Sequence, residues 1–323
     1  DLYKEMKSKG FGKKDFLRRA AEIDGIYVPS LYKVYYNDDG TVKEIIPQDN
    51  VRPIIKKRII KDFDKVFYPE NFVVPFTDIV HDRISVEVLR GCIRGCRFCQ
   101  AGFLYRPFRE KSPETVCREA ETLCGNTGYE EISLASLSTS DHSEIGKILT
   151  ELIPYTEKQH INLSLPSLRV DNFSKELMDE VKKVRKSGLT FAPEAGTQRL
   201  RNVINKNVTE EEVMRTCRTA FEGGYTSVKL YFMLGLPTET DEDIVGITKL
   251  AQKIVDLYYS IPGRQKGKGV QVSISTATFV PKPFTPFEFE PQATRSEIMH
   301  KQETLMNSIT SKKIKASWHD PST

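Results

Sequence analysis

The stretch Val86-Glu-Val-Leu-Arg-Gly-Cys92-Ile-Arg-Gly-Cys96-Arg-Phe-Cys99-Gln-Ala-Gly102 decides how the rest of the chain is interpreted. It begins inside a short apolar segment, residues 84–89, which is typical of a buried β-strand. Three cysteines follow within eight residues, separated first by three residues and then by two. Thiols grouped so closely predict metal chemistry on the loop that leaves this strand.

The spacing of these cysteines limits the kind of metal site. Structural zinc usually takes four ligands, in pairs of cysteines or with histidines. No fourth ligand lies in register, because His81 precedes the strand and Cys117 falls in a predicted helix. Three thiolates on one loop suit a [4Fe–4S] cluster with one iron left open for a substrate or cofactor. A structural zinc knuckle and a set of redox thiols remain alternatives.

Strands and helices alternate from residue 84 onward. We predict strands at residues 84–89, 131–135, 161–165, 189–192, 227–234 and 270–279. We predict helices at residues 113–123, 144–158, 174–186, 210–222, 241–258 and 296–308. This order predicts an α/β fold with a parallel sheet, either open and doubly wound or closed in part. We favour a partial (β/α)6 TIM-like barrel, with its chemistry at the carboxyl ends of the strands.

The remaining segments suggest three regions. Residues 1–80 form an N-terminal extension and linker, with helical residues 1–30 and a β-hairpin turning at Asn37-Asp-Asp-Gly40. Residues 81–310 are the predicted core. Residues 311–323 form a C-terminal tail that we expect to be truncated, and the chain, which does not begin with Met, is expected to be a piece of a longer protein.

Composition excludes several classes of protein. The chain has 323 residues, of which 39% are hydrophobic and 28% charged, so it can bury a core and is neither a disordered chain nor a disulfide-rich miniprotein. Its net charge of +4 is mild, and basic runs such as Lys56-Lys-Arg58 are too scattered to argue for a nucleic-acid interface. We see no transmembrane run and no signal peptide, and we expect a reducing cytoplasmic location.

The cysteine motif resembles that of the radical S-adenosylmethionine (SAM) enzymes, with an aromatic residue, Phe98, just before the third cysteine. The segments Cys99-Gln-Ala-Gly-Phe103 and Phe191-Ala-Pro-Glu-Ala-Gly-Thr197 look most like the cobalamin-binding members, of the broad group that includes methylthiotransferases. The resemblance implies that Cys92, Cys96 and Cys99 hold a [4Fe–4S] cluster. SAM bound to its open iron is then cleaved by one electron, which yields methionine and a 5′-deoxyadenosyl radical.

The resemblance also bears on cofactors and partners. In full-length relatives a cobalamin domain precedes the core, whereas residues 1–80 are too few and too polar for one, so we expect cobalamin only in a longer protein. An electron donor such as flavodoxin or ferredoxin is implied. The substrate is unknown, with RNA, protein and small molecules all open, and the reaction is open between methylation, methylthiolation and another rearrangement. A non-catalytic zinc scaffold and a nucleic-acid-binding module are the alternative functions.

Polar residues after the second and third predicted strands are candidate SAM contacts. Ser136, Ser138 and Thr139 occupy the place where the family often has a Gly-Gly-Glu stretch that holds the SAM amino group. The alternative is a capping loop, in which Asp141 or Ser143 caps the next helix. Further candidates, Ser167 and Arg169, follow the third strand, where a guanidinium could grip a carboxylate with two donors.

The last three strand ends supply the remaining candidates. The resemblance implies that Glu194 contacts SAM and that Lys206, twelve residues on, neutralises its carboxylate; a solvated helix-end lysine is the alternative. Gly235 lies in a Gly-x-Pro-x-Glu segment like the one that cradles adenine in many such enzymes. Phe279 and Val280 are candidates for closing the adenine site. The alternative is that they belong to a hydrophobic lid that binds no ligand. Cys117, Cys124 and Cys217 are expected to be buried apolar residues.

Overall fold

The computed structural model of the chain describes residues 1–165, 189–262, 267 and 269–320. The chain divides into two compact units, Asp1–Asp62 and Phe63–Thr323.

The first unit is small and is built around a β-hairpin. Helices α1 (Leu2–Ser8) and α2 (Lys13–Ala20) precede strands β1 (Tyr32–Tyr36) and β2 (Val42–Pro47), which pair antiparallel. Gly40 has a left-handed φ of 84°, a conformation that glycine adopts without strain and that the turn requires. The predicted hairpin is therefore confirmed. The buried core of this unit consists of Ala21, Val28, Leu31 and Tyr32.

The second unit alternates strands with helices. Its strands are β3 (Ile84–Glu87), β4 (Leu89–Arg90), β5 (Arg109–Glu110), β6 (Glu131–Ala135), β7 (Asn162–Ser164), β8 (Leu189–Glu194), β9 (Ser227–Leu234), β10 (Gln271–Thr278) and β11 (Ile314–Trp318). Its helices are α3 (Ala101–Leu104), α4 (Pro113–Thr127), α5 (Ile145–Gln159), α6 (Gln198–Val203), α7 (Glu210–Glu222), α8 (Asp241–Ser260) and α9 (Arg295–Asn307). The predicted helix at residues 174–186 lies outside the described residues.

The larger strands form two parallel sheets. One has the order β3-β6-β7, and the other has the order β11-β10-β9-β8. The α/β class is as predicted, but the pairing seen in the described residues does not join the strands into one barrel sheet. The fourth strand of the second sheet, β11, was missed, since it lies in what the sequence suggests is a tail.

Helix ends follow local sequence signals. Pro113 opens α4 behind Ser112, whose hydroxyl accepts from the Thr115 N–H. Helices α7 and α9 begin with capping boxes at Thr209 and Thr294, in which the hydroxyl and a glutamate three residues later satisfy backbone N–H groups reciprocally. These caps explain why the predicted start of α7 is correct and that of α9 is within one residue.

Each parallel sheet buries one face under helices. Side chains at alternate positions of β9 and β10 are at most 1% exposed: Val228, Leu230, Phe232, Val272 and Ile274. They pack with the buried residues of α8 and α9 in the main core. The positions between them are polar or aromatic and partly exposed, so the helices among the described residues cover the other face of this sheet. Among the described residues, none of the helices combines the length and apolarity needed to cross a bilayer.

Candidate active site

The three cysteines lie on one loop between β4 and α3. None of the three forms a disulfide; Cys96 is 7% exposed, and Cys92 and Cys99 are partly exposed. The antiparallel pairing of β4 with β5 closes the base of the loop. The loop thus presents three thiols at the carboxyl end of the first strands, as predicted.

The cysteine loop is tightly closed on itself. Gly91 has a φ of 94°, and a Cβ there would lie 2.7 Å from the carbonyl oxygen of Tyr105. A Cβ on Gly102 would lie 2.4 Å from the carbonyl oxygen of Arg94. The Arg94 N–H also donates to the Cys92 sulfur at 3.4 Å. Only glycine fits these two positions, so the loop has little freedom to spread its thiols.

Hydrogen bonds attach the cysteine loop to segments that follow two strands of the four-stranded sheet. The Arg97 N–H donates to the carbonyl oxygen of Ile204 at 3.0 Å, and the Phe287 N–H donates to that of Arg97 at 3.2 Å. The Asn205 amide donates to the carbonyl oxygen of Gly95 at 2.8 Å. The segments after β8 and β10 therefore hold the loop at the carboxyl end of the sheet.

An apolar cluster includes two of the residues that make these hydrogen bonds, Ile204 and Phe287. Its buried members are Ala195, Leu200, Ile204, Leu236, Phe279 and Phe287, with Phe98, Val203 and Met233 partly buried against them. Phe279 is 1% exposed and its ring meets that of Phe287 edge to face. The predicted residues Phe98 and Phe279 are thus brought together, whereas Val280 is 47% exposed and is not a member of this cluster.

Glu194 and Lys206 meet at the end of β8. The Lys206 ammonium lies 3.2 Å from the Glu194 carboxylate, and both side chains are largely shielded from solvent. Glu194 adopts a φ of 68°, which is uncommon for a residue other than glycine and often marks a functional position. Helix α6 lies between the two residues and returns the lysine to the glutamate, so Lys206 is not the solvated helix-end lysine of the alternative.

Two turns shape the site beside this pair. A Cβ on Gly196 would lie 2.3 Å from the carbonyl oxygen of Asp243, so the strand end touches the backbone of α8. Gly235 has a φ of 83°, and its N–H donates to the Glu239 carboxylate at 2.7 Å. Burial raises the pKa of Glu239, against the opposing effects of the Gly235 N–H and of Lys301, whose ammonium is 3.0 Å away.

The segment after β6 is a local hydrogen-bond network. The hydroxyls of Ser136 and Thr139 are 2.8 Å apart, and the Ser138 hydroxyl donates to Asp141 at 2.7 Å. Ser138 and Thr139 are almost fully buried. Helix α5 begins at Ile145 and has no side-chain cap, so neither Asp141 nor Ser143 caps it; the Asp141 carboxylate binds the Arg94 guanidinium instead. The role of the three hydroxyls toward SAM stays a prediction.

The ion pair between Arg94 and Asp141 is a site feature that the sequence analysis missed. Both guanidinium nitrogens Nε and Nη2 donate to the carboxylate, whose side chain is fully shielded. It ties the cysteine loop to the segment after β6. In the sequence, Arg94 lies between two cysteines and Asp141 follows the second predicted strand. Nothing in that pattern indicates that the two residues pair. Two other candidates, Ser167 and Arg169, lie outside the described residues.

The donor set on the loop fits an iron–sulfur cluster. Thiolates are the ligands such clusters take from proteins. Within the described ranges, no three His, Cys, Asp or Glu side chains are gathered around the position of a single ion. Thiolates that bind different irons of one cluster need not converge on a point, so this arrangement is compatible with the cluster. The remaining thiols, Cys117, Cys124 and Cys217, are buried as predicted.

Known proteins provide the comparison. A model described as the radical SAM superfamily matches residues 86–251. An uncharacterized protein of Methanocaldococcus jannaschii is 31% identical over 255 residues, which are 79% of this chain and 52% of that protein. A putative methylthiotransferase of the same organism is 24% identical over 192 residues, 55% of this chain and 41% of the relative. The chain thus spans about half the length of the curated relatives it matches.

A solved structure shows a similar fold. The radical SAM methyltransferase TsrM from Kitasatospora setae, with cobalamin and a [4Fe-4S] cluster bound, superposes with a TM-score of 0.50 at 16% identity. The match covers 64% of this chain and 38% of TsrM. The family model alone covers just over half of the chain, including the cysteine loop and the Glu194–Lys206 pair. The chain belongs to the radical SAM superfamily, whose enzymes use a [4Fe–4S] cluster and SAM.

Proposed function

We propose that this chain holds a [4Fe–4S] cluster on Cys92, Cys96 and Cys99 and cleaves SAM reductively beside it. The observation that carries the proposal is that three cysteines outside any disulfide lie with the Glu194–Lys206 pair and the apolar cluster at the carboxyl end of one sheet. When bound, the cluster supplies the electron that splits a sulfur–carbon bond of SAM into methionine and a 5′-deoxyadenosyl radical.

The charged residues of this edge bind the methionine part of SAM in our proposal. Lys206 pairs with the SAM carboxylate, and Glu194 accepts hydrogen bonds from SAM. Ser136, Ser138 and Thr139 lie near the amino group, which requires that some of their internal hydrogen bonds be exchanged. The predicted roles of Ser167 and Arg169 in gripping a carboxylate complete this part of the proposal.

The apolar residues bind the adenosine part and keep water away from the radical. Gly235 shapes the turn that cradles adenine, since its left-handed φ of 83° is a conformation that glycine adopts without strain. Phe279 and Phe98 provide the buried surface beneath, and the partly exposed Val280 provides a cover. Exclusion of water matters because it prevents side reactions of a reactive intermediate.

We also propose that the two parallel sheets are parts of one partial barrel. The support is that each sheet buries one face under helices and leaves the other polar. Parallel sheets packed openly usually bury both faces. A closed (β/α)8 barrel fills its interior with side chains, whereas a partial barrel leaves a polar inner face open to a substrate, with the site at the carboxyl ends of the strands.

The net reaction we propose is transfer of a methyl or methylthio group to a substrate of unknown class, RNA, protein or small molecule. The relatives named a methylthiotransferase and a methyltransferase support it. A flavodoxin or ferredoxin supplies the electron, and cysteines outside any disulfide favour a reducing compartment, the cytoplasm. We propose cobalamin only for a longer protein with a cobalamin domain before this core.

The test is anaerobic reconstitution with iron and sulfide, followed by dithionite, SAM and an assay for 5′-deoxyadenosine. The wild-type chain is expected to turn brown and to form 5′-deoxyadenosine. Cys96→Ala removes one ligand and is expected to abolish the product. Cys117→Ala, a buried cysteine on α4 outside the loop, is the matched control and is expected to keep it.

Two results would contradict the proposal. A colourless wild-type protein that binds one zinc and leaves SAM intact would favour the scaffold alternative. A protein in which Cys96→Ala makes as much 5′-deoxyadenosine as Cys117→Ala would remove the cysteine loop from the mechanism.

A further inference from the structure

One face of the four-stranded sheet is polar, and its hydroxyls and cations are not accounted for by the cluster or by SAM. The face is formed by the alternate residues that point away from the helices: Thr190, Lys229, Tyr231, Ser273, Ser275, Lys315 and Ser317. All seven are partly or fully exposed, whereas their neighbours along the same strands, such as Leu230 and Ile274, are buried. The face therefore presents hydroxyl and ammonium hydrogen-bond donors outside the apolar core.

Register places two lysines of this face on either side of a serine. Lys229 pairs with Ser273, and Ser273 pairs in turn with Lys315 on the next strand. Neighbouring strands are about 4.8 Å apart, so the two lysine Cα atoms are about 10 Å apart with the serine hydroxyl between them. The spacing suits an oxyanion that accepts from both ammonium groups and from the hydroxyl.

The two lysines carry charge that the described residues do not neutralise. The carboxylates on the polar faces of the two parallel sheets each have a basic partner: Glu87 with Arg90, Glu131 with Arg83, and Glu194 with Lys206. Lys229 and Lys315, in contrast, have no carboxylate within ion-pair distance in the described part of the chain. The face therefore has a positive excess, and a cleft lined by one sign of charge concentrates ligands of the opposite sign.

The position of the lysines also sets how far the anion lies from the candidate SAM site. The Lys229 ammonium lies 4.7 Å from the centre of the Tyr231 ring, so it leans toward the carboxyl end of β9. Tyr231 is three residues before Leu234, where the strand ends beside the SAM site. At about 3.3 Å per residue, the cation lies about 10 Å inside the edge at which the radical forms.

We propose that Lys229, Ser273 and Lys315 form an anion subsite for the substrate. This inference rests on the proposed function, because it makes the same edge of the sheet the reaction site. The substrate class it names is an extended molecule with a carboxylate or phosphate about 10 Å from the carbon that reacts. The anion anchors the substrate inside the sheet and leaves the reacting carbon at the edge.

The test measures anion binding directly, without turnover. Cluster-loaded protein is dialysed at low salt, with excess SAM and no reductant, against labelled orthophosphate or labelled succinate. SAM occupies Lys206 and so removes it as a competing site. Loss of two charge-assisted contacts in the double variant Lys229→Gln/Lys315→Gln is expected to weaken binding at least about tenfold. Lys312→Gln, an exposed lysine just before β11, is expected to bind like wild type.

The conservative double variant Lys229→Arg/Lys315→Arg keeps both charges and is expected to keep binding. It shows whether weaker binding in the glutamine variant comes from the lost charges or from a disturbed sheet. Tighter binding of orthophosphate than of succinate identifies a phosphate substrate, and the reverse identifies a carboxylate. The inference is overturned if neither probe binds to wild type, or if the double glutamine variant binds as tightly as Lys312→Gln. Failure of the proposed function would appear separately, as wild-type protein that forms no 5′-deoxyadenosine.

Discussion

Cysteines of this chain differ in what surrounds the sulfur. Burial raises the pKa of Cys117 and of Cys217 to about 12 and that of Cys124 to about 11. These three side chains pack within the main apolar core. A thiol in such a place stays protonated and acts as a small apolar group, because the thiolate is the reactive form.

Alkylation should therefore separate the buried cysteines from an unfolded reference. In cluster-free folded protein at pH 8, we expect Cys117, Cys124 and Cys217 to react with iodoacetamide at least about 100-fold more slowly than in urea, because their thiolate fraction is suppressed. Mass spectrometry of tryptic peptides over time gives each rate. Similar rates for Cys217 in the folded and the unfolded chain would show that it is not buried.

Asp141 is the second residue whose surroundings predict a measurable effect. Its carboxylate is fully shielded and accepts from the Arg94 guanidinium and from the Ser138 hydroxyl. Asp141→Asn keeps the size but removes the charge, leaving a largely shielded guanidinium without its counter-ion. We expect a loss of about 1–3 kcal/mol in the free energy of unfolding and less iron retained per chain after reconstitution.

The matched control is Asp256→Asn, an exposed carboxylate on α8. Urea unfolding and iron analysis of the two variants give the comparison. Equal unfolding midpoints and equal iron contents would mean that the ion pair does not hold the cysteine loop.

The sequence could predict which residues belong to the site better than it could predict their backbone conformation and their ion-pair partners. The twelve-residue spacing of Glu194 and Lys206 came from a resemblance and corresponds to a 3.2 Å contact. The left-handed φ of Glu194 could not be predicted, since no local signal marks it. The Arg94–Asp141 pair joins residues 47 positions apart, and single-sequence patterns do not reach that far.

At the scale of elements, the contact between the end of β8 and helix α8 depends on two glycines. A Cβ on Gly196 would lie 2.3 Å from the carbonyl oxygen of Asp243, and a Cβ on Gly246 would lie 2.7 Å from Cγ2 of Thr197. Both distances are shorter than packed atoms allow. The strand end that carries Glu194 can therefore approach α8 only while both positions lack a side chain.

Gly246→Ala should push the strand end away from the helix. We expect it to lower the free energy of unfolding by about 1–3 kcal/mol, the usual effect of overpacking, and to weaken SAM binding. The control is Gly125→Ala on helix α4, where a Cβ meets nothing within 4 Å. There alanine should raise stability by up to about 1 kcal/mol, since it is the better helix former. Urea unfolding measures both; a Gly246→Ala variant as stable as Gly125→Ala would contradict the close contact.

The sequence predicted the bounds of some helices and strands more accurately than those of others. Strand Ser227–Leu234 and helix Glu210–Glu222 were predicted to the residue, because the strand is mostly apolar and the helix is bounded by a cap and by Gly223-Gly224. Strand Ile314–Trp318 was missed, because it is an edge strand with one buried position. An edge strand shows little of the apolar pattern by which buried strands are recognised.

At the scale of the whole molecule, each of the two units has a main core of its own. The smaller one consists of buried residues between Ala21 and Tyr32, and the larger runs from Ile84 to Ile314. Every candidate residue that the structure describes lies in the unit Phe63–Thr323. The sequence analysis placed the boundary near residue 80, since residues 47–80 contain scattered prolines and aromatics and show no periodic pattern.

The aromatic residues before residue 80 decide where a truncated chain should begin. Phe63 is 4% exposed, and the Lys111 ammonium lies 5.7 Å from its ring and 4.4 Å from that of Tyr68. The Tyr68 hydroxyl donates to the carbonyl oxygen of Ser85 on β3. Lys111 is 1% exposed and forms a 2.5 Å ion pair with Glu119, so these rings help to cover a buried charge pair.

Two truncated chains therefore test the boundary. We expect residues 63–323 to bind as much iron as the full chain and to unfold at the same urea concentration, because the larger core is complete. Residues 81–323 lack both rings, and burial of one such side chain is worth about 1.5–3 kcal/mol. That chain should unfold at clearly lower urea and retain less iron, because uncovering Lys111 and Glu119 disturbs the strand β5 that closes the cysteine loop. Equal midpoints for the two truncations would place the boundary at residue 80, and loss of iron from residues 63–323 would make the first unit part of the active protein.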